Sequence, residues 1–76
     1  QYKKIEYIHP EELRQGILYV VKNSYGIEAT ELVKEVIRMF GFERTTSNML
    51  RTVQIQVESL ISGGKIINDN GVLRLT

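Results

Sequence analysis

Arg44, Thr46, Ser47, Asn48, Arg51 and Thr52 crowd one polar stretch, GFERTTSNMLRT. Their types suit recognition better than catalysis. An arginine can pair with a guanine edge or a phosphate, and an asparagine with adenine. Threonine and serine hydroxyls beside a helix N-terminus are suitable phosphate donors. Lys65 and Arg74, on either side of the later run Asn68-Asp69-Asn70-Gly71, add two cations that can reach a nucleic-acid backbone. The same stretch also reads as the solvated face of an ordinary helix, because Glu43 and Glu58 offset Arg44 and Arg51 in charge. Asp69 at the tip of the later run would be repelled by phosphate.

Other chemistries find no residues. There is no cysteine, which excludes disulfides and thiolate-bound zinc, and the one histidine, His9, has no partner for a metal site. Ser47, Ser59 and Ser62 lack a histidine and acid to activate them. Glu11, Glu12, Glu28, Glu31 and Glu35 read as helix-start and helix-surface charges. No glycine-rich phosphate loop occurs. The expectation is a non-catalytic chain with no cofactor, no metal and no small-molecule substrate.

The elements that must hold the polar stretch follow from periodicity. HPEELRQGILYVVKNSYG predicts a first helix: Pro10 suits its first turn, Glu11 and Glu12 favour the positive end of the dipole, and Gly26 stops it. Leu13, Ile17, Val20 and Val21 form its buried stripe, and Gly16 gives another element room to approach. A short extended link, IEA, leads to a second helix over TELVKEVIRMFG, with Thr30 as N-cap and Gly41 as the terminal glycine. Thr45, Thr46 and Ser47 are alternative caps for a third helix that ends at Ser62-Gly63-Gly64. Its apolar stripe is Leu50, Val53, Val57, Leu60 and Ile61, and its opposite stripe is Asn48, Arg51, Thr52, Ile55 and Ser59. Asn-Asp-Asn-Gly between two short apolar runs predicts a β-hairpin. The order helix, short strand, helix, helix, hairpin predicts a mostly helical α+β winged helix, the hairpin being the wing.

Seventy-six residues fit one domain, near the size at which a single core is only marginally stabilising. Residues 1–9, beginning QYKKIEYI, read as an extended N-terminal arm or linker, and residues 10–76 as the winged-helix-like domain. The chain starts with glutamine and shows no apolar run long enough for a signal peptide or membrane span, so a cytoplasmic piece of a larger protein with no membrane contact is expected. Ten basic and nine acidic residues leave a formal charge of +1. That small bias predicts weak nucleic-acid binding, since phosphate neutralisation supplies most of the affinity. Tyr2, Tyr7, Tyr19 and Tyr25 are many aromatics for this length, and Tyr19 lies off the first helix's stripe, where it can anchor a partner protein.

Several features together resemble an uncharacterised domain near the C-terminus of large bacterial proteins related to superfamily 1 DNA helicases. They are the proline-led first helix, Gly26 before the short strand, the Phe40-Gly41 turn, Arg44-Thr45 before Ser47, and the hydrophobic close from Gly71 to Leu75. The likeness spans nearly the whole chain and includes no catalytic motif. It implies a module appended to an ATP-dependent motor, often near a nuclease-like domain. Two positions depart from it: Thr46 replaces a glycine, and Asn48 stands where a basic residue is common. The expected function is that of an accessory module helping a helicase-related protein engage DNA through its third helix. The rival expectation is a module that docks on other domains of its parent chain or on a partner, without touching nucleic acid.

Overall fold

Proline at the first helical position forfeits no intrahelical bond, because that amide would lack an acceptor in any case. In the computed structural model, which describes residues 4–76, Pro10 accordingly opens helix α1 (Pro10–Lys22). His9 caps it, its Nδ1 accepting from the Glu11 amide at 3.1 Å. Glu11 accepts from Arg14 at 2.7 Å. That hydrogen bond, a second from Gln15 and the Arg14 charge hold the Glu11 carboxyl below the usual glutamate range.

The chain then forms strand β1 (Ile27–Glu28), helix α2 (Ala29–Met39), helix α3 (Ser47–Ser62), and strands β2 (Ile66–Asp69) and β3 (Val72–Leu75). The strands make an antiparallel sheet in the order β1-β3-β2, with Ile27 opposite Leu73 and Asp69 opposite Val72. The described residues are therefore an α+β arrangement of three helices and a three-stranded antiparallel sheet. The hairpin falls where Asn-Asp-Asn-Gly predicts it. Asn70 and Gly71 both take positive φ, +56° and +90°, the requirement of a two-residue type I′ turn. The Asn68 side chain accepts from the Gly71 amide at 2.9 Å.

Leu13, Ile17 and Val21 of α1, Leu32, Val36 and Ile37 of α2, Val53, Val57 and Leu60 of α3, and Ile66 and Leu73 of the sheet share one core. No polar or charged side chain is buried among the described residues. Gly16 lets the end of α2 cross α1 at close range: a Cβ there would lie 2.7 Å from Met39 Cε and 2.8 Å from Phe40 Cε2. The turn into α3 is fixed by backbone bonds from Gly41 to Arg38 and from Phe42 to Ile37, the pattern that closes a helix on a glycine. The buried Phe42 ring pins that turn to the core.

Four expectations are corrected. The N-terminal segment is not an extended arm where it is described: Ile5–Tyr7 forms a 3-10 turn, and Ile5 and Ile8 are 1% and 4% exposed. Side chains three apart eclipse on such a turn, so both isoleucines reach the core together. Residues 1–3, and with them Tyr2, lie outside the described residues. Thr30 does not cap α2. Glu28 holds the N-cap position without a side-chain cap bond, because its pairing with Val72 keeps it extended and the helix starts directly from the strand. Leu50 is 39% exposed and Ile61 half-buried, while Met49 turns partly inward. The stripe is centred on Val53, Val57 and Leu60, which leaves Leu50 on the edge that faces α2. Val20 is likewise only half-buried, the inner stripe of α1 passing through Gly16 instead.

Candidate nucleic-acid interface

The α3 N-terminus is built by Thr46. Of the three candidate caps it is the one used, its Oγ1 accepting from the Met49 amide at 3.1 Å. Ser47 is then the first helical residue and exposed, with Asn48 beside it. At 100° per residue, Asn48, Arg51, Ile55 and Ser59 share the face turned away from Val53 and Val57. All four are exposed, and Ile55 is 54% exposed at the middle of that face. Thr52 is half-buried at its edge.

Two neighbours flank this face. On one side the 3-10 turn brings Glu6 to Asn48, whose amide donates to the Glu6 carboxylate at 3.0 Å. On the other, α2 and α3 enclose a shallow groove of about 350 Å³ lined by Thr30, Val33, Lys34, Leu50, Arg51 and Gln54. Val33 and Leu50 give it an apolar floor. Lys34 and Arg51 supply its charge, and neither forms an ion pair among the described residues. Arg44, exposed two residues ahead of the Thr46 cap, is equally unpaired. The offset expected from Glu58 is not made as a contact to Arg51, since Glu58 accepts from Gln54 at 3.3 Å.

The eight sequence-predicted residues divide into two groups. Arg44, Thr46, Ser47, Asn48, Arg51 and Thr52 gather around the first turns of α3. Lys65 and Arg74 do not join them. From Arg51 the helix runs on to Ser62, about 16 Å of helical rise at 1.5 Å per residue, before the chain reaches Lys65. Lys65 faces Tyr19 and Lys22 of α1 across a different hollow, and Arg74 lines another with Tyr25 and Gly26. Arg74 also forms an ion pair with Asp69 across the hairpin, so its charge is partly answered within the strand pair. Sequence reasoning missed Lys34. The available signal was its spacing of four from Thr30, which places both on one face of α2.

Among the described residues no group of three or more His, Cys, Asp or Glu side chains is placed to hold a metal ion. No helix there is long and apolar enough to cross a membrane. Comparison of the chain with protein-family models, with curated proteins and with solved structures gave no match. The resemblance to a helicase-associated domain thus rests on the sequence motifs alone.

Proposed function

We propose that this chain is a winged helix domain, a non-catalytic accessory module of a cytoplasmic, helicase-related bacterial protein, and that it engages DNA weakly through α3. The observation that carries the reading is the pair of unpaired cations, Lys34 and Arg51, on the two walls of the α2–α3 groove beside an exposed α3 face. The element order and the pairing of β1 with β3 support the winged helix assignment, with β2 and β3 as the wing. In this reading Arg51 and Asn48 meet base edges, while Lys34, Arg44 and the hydroxyls of Thr46 and Ser47 meet phosphates.

With two or three phosphates neutralised, the logarithm of affinity for a short duplex should fall with the logarithm of salt at a slope of roughly −2 to −3. Fluorescence anisotropy across a salt series measures it. A slope near zero, or no binding at low salt, removes the nucleic-acid role.

The second reading is protein docking, with no nucleic-acid contact, and Ile55 favours it. A large apolar side chain at the centre of the α3 face suits a desolvated interface better than a phosphate-lined groove. The partner would then be another domain of the parent chain or a second protein.

A further inference from the structure

A second surface lies between α1 and the sheet. There Leu18 and Tyr19 of α1 and Leu75 of β3 form the floor of a hollow of about 560 Å³, and Lys22 and Lys65 stand at its rim. Tyr19 is 63% exposed and Leu75 38%. No aspartate or glutamate lines the hollow, and neither lysine forms an ion pair among the described residues. The neighbouring hollow between α1 and α2 is different: it carries Glu31, Glu35 and Arg38, and Arg38 is paired with Glu35 at 2.7 Å.

From this contrast we propose that the hollow between α1 and the sheet docks an acidic amphipathic peptide segment of a partner protein. Leucine or phenylalanine side chains of the segment fill the floor over Leu18 and Leu75, against the Tyr19 ring. Its carboxylates meet Lys22 and Lys65. Lysine suits both parts of the task, because its methylene stem extends the apolar wall while the ammonium stays at the wet rim. A duplex could satisfy the two lysines but, with its base faces stacked on one another, would leave the apolar floor uncovered, which is why a peptide is the better occupant. A single strand, whose bases can stack on Tyr19, is the competitor in the test. The hollow falls within the range of roughly 300–1,000 Å³ typical of ligand clefts. Exposed aromatic and aliphatic anchors ringed by unpaired charge are what an amphipathic segment in a groove requires. This surface is independent of the α3 reading, and Lys65 belongs to it rather than to the Arg51 face.

The test is an amide-shift titration of the ¹⁵N-labelled chain with a short synthetic helical peptide of Glu, Asp, Leu and Phe, its apolar residues spaced i, i+3, i+4 and i+7. The proposal expects saturable shifts at Leu18, Tyr19, Lys22, Lys65 and Leu75, and none along the outward face of α3. A peptide with lysine replacing every acid should lose binding. The double variant Lys22→Glu, Lys65→Glu should weaken the acidic peptide by about tenfold or more. If that variant does not fold, Lys22→Gln with Lys65→Gln and the charge-reversed peptide carry the same decision. Absence of saturable shifts, shifts centred elsewhere, equal binding of the charge-reversed peptide, or displacement of the peptide by an oligothymidylate strand would each overturn the proposal.

Discussion

Ile5→Ala should lower the free energy of unfolding by about 2–5 kcal/mol, the usual cost of truncating a fully buried isoleucine. At 1% exposure Ile5 is as deep as Ile37 of α2, although it sits only five residues into the chain. A domain of 76 residues at about 0.05–0.15 kcal/mol per residue has roughly 4–11 kcal/mol in total, so the loss is a large fraction. Urea denaturation measures it, as a lower midpoint with an unchanged slope. Ile5→Val, which removes a single methylene and leaves most of the packing, should cost only about 0.5–1.5 kcal/mol. A change within about 0.5 kcal/mol for the alanine variant, the range of exposed sites, would mean that the 3-10 turn is an ornament on a core complete without it.

Arg51→Ala should weaken duplex binding by about 1–3 kcal/mol, roughly fivefold to 150-fold, while leaving stability within about 0.5 kcal/mol. The guanidinium projects from an exposed position and has no ion-pair partner among the described residues, so its removal leaves no orphaned charge behind. Lys34→Ala should act differently. A phosphate contact carries no sequence information, so this change should weaken all duplexes alike and make the salt slope shallower by about 1. Anisotropy on two duplex sequences, with urea melts as the control, separates the two effects. Under the docking reading Arg51→Ala spares DNA binding and weakens association with the parent chain. Unfolding of Arg51→Ala would make the residue structural and remove both readings of the α3 face.

Local signals with a single physical cause were legible. The proline and the two glutamates at the start of α1, the glycine after α2 and the Asn-Gly turn each satisfy a backbone requirement within a few residues, so the sequence states them directly. The inference from Gly16 was also sound, because a glycine inside a helix needs a reason and Met39 and Phe40 supply it. What escaped was set by tertiary contact. Ile5 and Ile8 are too few to show a periodicity, and only their packing with the core turns them from an arm into structure. The start of α2 moved ahead of Thr30 because strand pairing at Glu28, a long-range event, fixed the preceding backbone.

Within the candidate site, the α3 residues could be grouped because one helix spaces them regularly. Their separation from Lys65 and Arg74 could not be read, since it depends on how the sheet lies against α1. Lys34 was hidden for the same reason: its importance comes from the groove that α2 makes with α3. The Glu6–Asn48 bond spans 42 positions and has no local signature at all.

The most direct measurement is an amide-shift map of the ¹⁵N-labelled chain titrated with a short DNA duplex at low salt. The nucleic-acid account predicts saturable shifts at Lys34, Arg44 and the run from Thr46 to Arg51, including loss of the Glu6–Asn48 hydrogen bond as Asn48 turns to the duplex. Lys22, Tyr19 and Leu75 should stay unmoved. A flat map along α3, or shifts confined to the α1 side of the molecule, would contradict it.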